Sequence, residues 1–419
     1  MQIKIEKIVF PGKSLARQDG KVFLTDEGLP GETVDITTTK EHASFTEAVT
    51  TKIITPSPHR IKPRCDHHKA CSPYQYIDYP EQLKIKTSQA QEIFSRLNIV
   101  PQPIAPSPCQ WEYRNKINFK ILRGKNGFFG AYNTFGRHDK FVPAQHCFLA
   151  DKEMNEIAGT VIKVLNTHGI TGVDEITIRK SINTHAFLLT LNAGKGFDTT
   201  KFTKSFDSRI LNGGGAAAIF YENNKAHTVQ VAGTKTITQK CAQMIYKIGP
   251  LSFFQINIPA IDLLIDDLKK DLNLNHNDSL ADIYCGVGTF GIALGKICKK
   301  IIFVENDPEN TRLIEDNLKL NDISNAKVCL GNGNNLDDIF QEVPSTLVID
   351  PPRSGIGKTG CAQLTKLEAE RLVYIACDPM ALARDLGELA KIYKIETLRV
   401  YDLFPQTPHF ECCAVLSRC

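Results

Sequence analysis

The stretch Arg371–Asp385, RLVYIACDPMALARD, carries the signals from which the rest of the chain can be interpreted. Residues 372–375 are an apolar run typical of a buried strand. Asp378 and Pro379 are residues that begin helices, and leucines then recur at helical spacing. Cys377 is therefore predicted between a strand and a helix, where backbone N–H groups and the helix dipole favour a thiolate. The alternative is a small buried cysteine without chemistry.

The surrounding C-terminal part, residues 241–419, alternates strand-like and helix-like segments. This alternation predicts an α/β fold with a doubly wound parallel sheet of Rossmann type. A helix is predicted from Ile258 to Leu272 after the segment LSFFQIN. The predicted strands are LADIY, IIFVE, STLVI, LVYIA and two more within LRVYDLFPQTPHFECCAVLSRC.

A glycine fingerprint follows the first of these strands. Gly286, Gly288 and Gly291 match G-x-G-x-x-G at the start of a helix, and Glu305 ends the next predicted strand. Glycines permit a tight turn against a ligand, and the carboxylate can bind both hydroxyls of a ribose. The pattern fits a nicotinamide cofactor and S-adenosylmethionine equally. Tyr284 is a candidate contact to the same ligand.

Length and composition predict a multidomain protein without a membrane segment. The chain has 419 residues, 42% of them hydrophobic and 23% charged, so two or three domains are expected. The N-terminus has no signal-peptide core, and no apolar run reaches membrane-spanning length. Thirteen cysteines without a regular framework predict free thiols or a metal site in the cytoplasm.

Charge divides the chain into three parts. Residues 1–57 carry 7 Lys/Arg against 8 Asp/Glu, residues 58–240 carry 25 against 14, and residues 241–419 carry 18 against 24. The basic middle predicts that a polyanion docks there. The first part has short β-rich runs and glycine turns, which predict a small OB-like barrel. The middle part is predicted to be an α+β domain with a helix over residues 80–98.

Cysteines cluster near the start of the middle part. Cys65 and Cys71 lie close in sequence, and Cys147 follows at a distance. This clustering suggests metal or iron–sulfur ligation, with His67, His68 or Cys109 as candidates for a fourth ligand. Unliganded structural cysteines are an equally good interpretation.

Two residues suggest a specific chemistry. Carbon 5 of uracil becomes nucleophilic when a thiolate adds to carbon 6, and Cys377 is the candidate thiol. A general base must then remove the proton on carbon 5, and Glu411 in FPQTPHFE is the candidate base. His409 is a competing base. Asp350 ends a strand on the ligand side of the sheet, in the loop DPPR, where Arg353 replaces the aromatic residue usual in amino-methylating enzymes.

With these residues in place, the chain resembles the RNA 5-methyluridine methyltransferases that carry an N-terminal TRAM barrel. The resemblance covers nearly the whole chain. The similar segments are, in order, GKVFLTDEGLPGE, SFFQIN, DIYCGVGTFG, VEND, VIDPPRSG, YIACDPMALARD and FPQTPHFE.

The resemblance implies roles for individual residues. It implies that Gln255, Tyr284, Glu305 and Asp350 contact S-adenosylmethionine, with the glycine turn beside them. It implies that Cys377 is the nucleophile and Glu411 the base, and that Arg384 supports them. It also implies that the helix at residues 80–98 packs on the catalytic domain, here residues 241–419.

The chain departs from the resemblance at one motif. Relatives with a 4Fe-4S cluster have C-x5-C-x2-C and a distant fourth cysteine. Here Cys65, Cys71 and Cys147 match, but Tyr74 stands at the third position. We therefore expect that the cluster has been lost and that the three cysteines are its remnant.

The sequence thus predicts S-adenosylmethionine-dependent methylation of uracil carbon 5 in structured RNA. The barrel at 1–57 and the RNA-binding middle at 58–240 would hold the RNA, and the target base would flip out of its stack. Ribosomal RNA of the large subunit, 23S rRNA, is favoured by analogy, with transfer RNA as an alternative. An RNA-binding protein without catalysis and a nicotinamide oxidoreductase are rival predictions.

Overall fold

A computed structural model describes residues 1–134, 140–223, 225–333 and 336–419 of the protein. Within these ranges, no helix combines the length and the apolar character needed to cross a lipid bilayer.

The first 55 residues form a sheet of short, mostly antiparallel strands. Its strands are β1 (Gln2–Lys4), β2 (Lys7–Val9), β3 (Lys13–Gln18), β4 (Lys21–Thr25), β5 (Thr33–Glu41) and β6 (Thr46–Thr55), in the spatial order β1-β5-β6-β4-β3-β2. Alternate residues point into a small apolar core that includes Ile3, Phe23 and Val34. The all-β prediction for this part agrees with these strands; the TRAM assignment and the domain boundaries stay predictions.

Two helices follow, α1 (His68–Cys71) and α2 (Tyr79–Phe94), and a 3-10 turn (Ser95–Leu97) continues α2. The Asp78 side chain accepts a hydrogen bond from Glu81 N–H, so it caps the N-terminus of α2, as expected before Pro80. The buried face of α2 is unusually polar, because Gln82, Lys86 and Gln89 all point inward. This face packs against the C-terminal part of the chain.

The middle of the chain is a second sheet covered by helices. Its described strands have the spatial order β13-β12-β11-β10-β7-β8-β9. The elements are β7 (Lys116–Gly124), β8 (Gly127–Asn133), β9 (Phe141–Pro143), α3 (Lys152–Thr167), β10 (Val173–Lys180), β11 (Phe187–Ala193), α4 (Thr199–Ser205), a 3-10 turn (Ser208–Leu211), β12 (Gly215–Glu222) and β13 (Lys225–Gly233).

The sequence GGGAAA at 213–218 is mostly a buried strand. Gly213 makes a turn, with φ at +79°, and β12 begins at Gly215. A Cβ atom at Gly214 would lie 1.9 Å from the Phe187 carbonyl oxygen. The glycines therefore serve close backbone approach between strands.

The C-terminal sheet confirms the predicted Rossmann-like α/β fold. Its described strands have the order β18-β17-β16-β19-β20-β22-β21. Its elements, after the hairpin β14 (Ile237–Cys241) and β15 (Met244–Ile248), are α5 (Ile258–Leu272), β16 (Ser279–Ile283), α6 (Thr289–Gly295), β17 (Lys300–Glu305), α7 (Pro308–Leu320), β18 (Ala326–Leu330), α8 (Leu336–Ile339), β19 (Thr346–Ile349), α9 (Gly357–Leu367), β20 (Arg371–Ala376), α10 (Pro379–Leu389), β21 (Tyr393–Tyr401) and β22 (Glu411–Arg418).

One strand departs from the parallel pattern. The last strand, β22, inserts between β20 and β21 and runs antiparallel to both. Its first residues therefore lie at the edge where the parallel strands end, and Ala376 pairs with Cys412. This insertion brings Glu411 next to the end of β20, directly beside Cys377.

Candidate active site

A cavity of about 490 Å³ opens at the carboxyl edge of the C-terminal sheet. This is the position at which doubly wound sheets bind their ligands. Its lining includes most residues singled out from the sequence: Gln255, Tyr284, Gly286, Glu305, Asp350, Arg353, Cys377 and Glu411.

Cys377 lies between β20 and α10, as predicted. The carboxylate of Asp378 accepts hydrogen bonds from the N–H groups of Met380 and Ala381, at 2.9 and 3.1 Å, and so caps α10. The expectation of a favoured thiolate is wrong for this environment. Burial, reinforced by Glu411, raises the pKa of Cys377 to about 11, and the Arg353 guanidinium opposes this shift only in part.

Glu411 and Asp350 form a pair of acids on the cavity wall. Glu411 is the first residue of β22 and is 4% exposed. Burial raises the pKa of Asp350, and burial together with Asp350 raises the pKa of Glu411 well above its ordinary value. Two carboxyl groups that are close together and shielded from water resist being ionised at the same time. One of this pair therefore keeps its proton more readily than an isolated carboxyl group does.

The SFFQIN segment is anchored by the central sheet. Gln255 donates a hydrogen bond from Nε2 to Oδ2 of Asp350 at 3.3 Å. The backbone carbonyl of Gln255 accepts a hydrogen bond from Asn115 Nδ2 at 2.9 Å, and the Ser252 carbonyl accepts one from Arg179 at 3.0 Å. Asn115 and Arg179 were not singled out from the sequence, because only the tertiary fold brings the two parts together.

The glycine turn and Glu305 are adjacent, as the fingerprint predicts. The carboxylate of Glu305 accepts hydrogen bonds from Gly286 N–H at 2.8 Å and from Asp307 N–H at 2.9 Å. Tyr284 lines the cavity from a left-handed conformation, with φ at +61°. A non-glycine residue there is a sign of a functional constraint.

Gly288 differs from the other predicted cofactor residues, because it does not line the cavity. It has φ at +87°, and its N–H donates a hydrogen bond to the Cys285 carbonyl at 2.8 Å. A Cβ there would lie 3.2 Å from atoms of Ile292 and Phe303. Gly288 therefore permits the turn and the packing of α6 against β17.

A buried carboxylate missed by the sequence analysis holds the loop after Asp350. Asp385 is 1% exposed and accepts hydrogen bonds from the Tyr374 hydroxyl at 2.7 Å and from Ile356 N–H at 2.9 Å. Arg384 donates to Asp385 at 2.9 Å and to the Ser354 carbonyl at 2.7 Å. Arg384 thus holds the loop that contains Arg353, which is compatible with the supporting role that the resemblance implies.

His409, the competing base, is two residues before Glu411. Its ring lies edge-on to Phe10 and Phe404, with centroids 6.2 and 6.4 Å apart. Burial, together with the positive charge of Arg353 and of two other cations, lowers the pKa of His409 to about 4. The imidazole is therefore neutral at physiological pH and packs as an aromatic ring.

The three cysteines of the interrupted motif do not fit a four-thiolate cluster. Tyr74 occupies the third motif position; it is 1% exposed, and its hydroxyl accepts a hydrogen bond from Gln89 at 3.2 Å. Gln75 donates to Cys65 Sγ at 3.4 Å, and burial raises the pKa of Cys71 to about 12. In the part of the chain that the structure describes, no three His, Cys, Asp or Glu side chains converge as a metal site.

Two relatives are similar to this chain over nearly its whole length. A protein of Synechocystis sp. named as an uncharacterized RNA methyltransferase is 28% identical over 442 residues, covering 100% of this chain and 95% of the relative. One of Clostridium acetobutylicum with the same description is 29% identical over 448 residues, covering 99% and 96%.

The fold is shared with a solved structure over almost the whole chain. The Pyrococcus abyssi tRNA (uracil-54, C5)-methyltransferase in complex with S-adenosyl-L-homocysteine is 22% identical, with a TM-score of 0.78. The similarity covers 99% of this chain and all of that chain. At this identity the likeness shows the fold.

A family profile matches the part of the chain that contains the cavity. The profile is described as tRNA (uracil-5-)-methyltransferase, and it covers residues 224–419. These residues include every strand of the C-terminal sheet and both Cys377 and Glu411. The similarity to the tRNA (uracil-5-)-methyltransferase family therefore covers the part of the chain that carries the candidate site.

Proposed function

We propose that this protein methylates carbon 5 of a uracil in structured RNA, with S-adenosylmethionine as methyl donor. In this proposal Cys377 is the nucleophile and Glu411 is the general base. The observation that carries it is that one cavity is lined by this thiol, this carboxyl group and the residues of a nucleotide-binding turn. That combination serves covalent activation of a poor carbon nucleophile.

The residues around the glycine turn fit a nucleoside-containing methyl donor. Glu305 would hold the ribose, Gly286 would let the backbone approach, and Tyr284, Gln255 and Asp350 would line the rest of the site. S-Adenosylmethionine supplies an electrophilic methyl group when it is bound.

The first chemical step forms a bond between Cys377 Sγ and carbon 6 of the uracil. The electron pair of the 5,6 double bond moves toward the carbonyl at carbon 4, which leaves carbon 5 nucleophilic. Because the thiol is protonated near neutral pH, it passes its proton to solvent water as the bond forms. The Arg353 guanidinium favours that loss electrostatically.

After the methyl group has reached carbon 5, that carbon still carries its hydrogen. Glu411 removes this proton, the double bond forms again, and the thiolate of Cys377 leaves carbon 6. A carboxylate with a raised pKa is a stronger base than an ordinary one, so the buried position of Glu411 suits this step.

Aromatic residues at the cavity provide surfaces for a flipped base. Phe253 is 63% exposed at the cavity, and Phe404 lines another part of it. Unstacked bases bind proteins by stacking on such rings, and a base must leave its helix to reach a buried thiol. These rings support a single-stranded or flipped nucleotide as substrate.

Large-subunit ribosomal RNA, 23S rRNA, is the proposed substrate by analogy with TRAM-bearing relatives of this length. Transfer RNA is the second candidate, and the description of the matching family favours it. The two candidate substrates are distinguished by incubating the protein with labelled S-adenosylmethionine and either unmodified 23S rRNA or unmodified transfer RNA. The methylated nucleotide is then located by mass spectrometry of nuclease fragments.

The mechanism is tested with two variants in the same assay. Cys377→Ala is expected to abolish methyl transfer, because no other thiol lines the cavity among the described residues. Glu411→Gln is expected to accumulate a covalent protein–RNA adduct, because addition and methylation precede the lost proton transfer.

The matched control is Cys329→Ala, which removes a half-buried thiol on β18 and should keep full activity. Normal turnover by Cys377→Ala would contradict the covalent mechanism. RNA binding without methyl transfer by the unaltered protein would indicate an RNA-binding protein without catalysis.

A further inference from the structure

The segment that precedes Glu411, residues 402–410, is buried although it has no regular secondary structure. Asp402, Gln406 and Phe410 are each at most 2% exposed. Buried backbone groups must find hydrogen-bond partners, and a loop cannot supply them itself. The position of Glu411 therefore depends on the residues that supply those partners.

Most of these partners come from distant parts of the chain. Two hydrogen bonds join Gln82 and Gln406. Gln82 donates from Nε2 to Gln406 Oε1 at 2.9 Å, and the Gln406 N–H donates to Gln82 Oε1 at 3.0 Å. Three other loop carbonyls accept hydrogen bonds from distant side chains. Phe404 accepts from Lys86 Nζ, Pro405 from the Tyr113 hydroxyl and Leu403 from Asn257 Nδ2.

Tyr74 lies at the centre of this set. Its N–H donates to the Gln406 carbonyl at 3.0 Å, and its own carbonyl accepts from Gln82 Nε2 at 3.2 Å. Its hydroxyl accepts from Gln89 Nε2, which also donates to the Ile8 carbonyl in β2 at 3.0 Å. One residue thus connects the loop, helix α2 and the N-terminal sheet.

The ring of Tyr74 and the backbone of Gly12 also form a wall beside the loop, in which Gly12 is the member next to Pro408. A Cβ added at Gly12 would lie 3.5 Å from the Tyr74 ring and 3.0 Å from Pro408, so the Gly12 backbone is held between them. On the same side, Phe10 packs edge-on against Phe410, with centroids 5.6 Å apart. A smaller residue at position 74 would leave this wall incomplete.

We propose that Tyr74 is a positioning residue for Glu411 and acts through residues 402–410. The inference rests on the proposed function. At the motif position where a cluster ligand is expected from the resemblance, this chain has a tyrosine whose backbone hydrogen-bonds the loop before the general base and whose side chain holds Gln89 and borders Gly12.

The proposal separates the two halves of the reaction. Cys377 follows β20 and is held by β20 and the cap of α10, so addition to carbon 6 and methylation of carbon 5 should continue. Removal of the carbon 5 proton depends on where Glu411 lies. A displaced loop should therefore leave the methylated base bonded to Cys377.

The experiment compares Tyr74→Leu with Tyr76→Leu in the full-length protein. Both tyrosines are buried in one apolar cluster, but the Tyr76 hydroxyl accepts its hydrogen bond from Gly28 N–H in the N-terminal sheet. Tyr74→Leu should lower kcat by roughly tenfold or more with little change in KM, because small displacements of catalytic groups are costly. It should also accumulate a covalent adduct with RNA in denaturing gels.

Tyr76→Leu should lose stability without forming the adduct. If Tyr74→Leu does not fold, Gln82→Met tests the proposal in its place. That variant removes the hydrogen bonds from Gln82 to Tyr74 and Gln406, and it should accumulate the same adduct. Equal loss of activity in both tyrosine variants, without adduct, would overturn the proposal. Absence of methyl transfer by the unaltered protein would instead contradict the proposed function.

Discussion

The protonation of three side chains controls the candidate site at the scale of single residues. Cys377, Asp350 and Glu411 all have raised pKa values, because desolvation disfavours each of the three anions, and neighbouring negative charge reinforces the shift at Cys377 and Glu411. The cavity therefore favours the protonated form of each group more than water does, and Arg353 is the cation that acts against this on both Cys377 and Glu411.

This leads to a prediction about thiol reactivity. A thiol with a pKa of about 11 is protonated at pH 7, and its thiolate fraction grows about tenfold per pH unit below the pKa. Alkylation of Cys377 by iodoacetamide, followed by peptide mass spectrometry, should therefore accelerate steadily from pH 7 to pH 10. Arg353→Met should slow it at every pH in that range, because it removes the opposing cation.

The exposed Cys109 is the internal reference, because its alkylation should not respond to Arg353→Met. A rate at Cys377 that levels off below pH 8 would contradict the raised pKa. It would restore the original expectation of a thiolate favoured by the start of α10.

At the scale of elements, helix α2 serves as a structural partner of the loop before β22. Lys86 and Asp402 form an ion pair at 2.6 Å, and both side chains are fully buried. Burial lowers the pKa of Lys86, and Asp402 opposes that shift. Pairing two desolvated charges adds little net stability, but removing one partner leaves the other uncompensated.

Lys86→Met should therefore lower the free energy of unfolding by about 3–5 kcal/mol, measured from the urea midpoint, because Asp402 stays buried alone. Lys84→Met on the exposed face of the same helix is the matched control and should change it by less than about 0.5 kcal/mol. The double variant Lys86→Met with Asp402→Asn should regain part of the loss. Equal midpoints for the two single variants would contradict a structural role for the pair.

At the scale of the whole molecule, a groove on the central sheet adjoins the cavity at the C-terminal sheet. This groove, of about 470 Å³, is lined by Arg114, Lys116 and Lys120, and Ile256 lines both this groove and the active-site cavity. Burial and the nearby Arg179 lower the pKa of Lys116 to about 8. A phosphate there would stabilise the charged form, so RNA binding should weaken as pH rises above 8.

Lys116→Ala should weaken RNA binding and reduce the slope of log affinity against log salt by about 1, as expected for one phosphate contact. Lys125→Ala, in the exposed turn between β7 and β8, is the matched control. Filter binding across a salt series would measure both. An unchanged slope for Lys116→Ala would exclude this groove from the RNA path.

The amino-acid sequence by itself determined the local structure of the catalytic half. Apolar runs, the glycine turn and the cap at Asp378 predicted β16, α6, β20 and α10, because these signals encode backbone preferences of neighbouring residues. The same signals identified Cys377 and the glycine turn as candidates, whereas Glu411 was named from the need for a base in the expected chemistry and from the resemblance.

Only the tertiary structure decided how distant residues act on one another. The antiparallel insertion of β22 brings Glu411 beside Cys377, and no local pattern encodes which strands become neighbours. The protonated state of Cys377, the Asp385 hydrogen bonds and the junction around Tyr74 depend on charges and donors from other segments. Strand pairing, burial and electrostatic fields depend on residues that are distant in sequence. They are therefore visible in the folded structure and not in local sequence patterns.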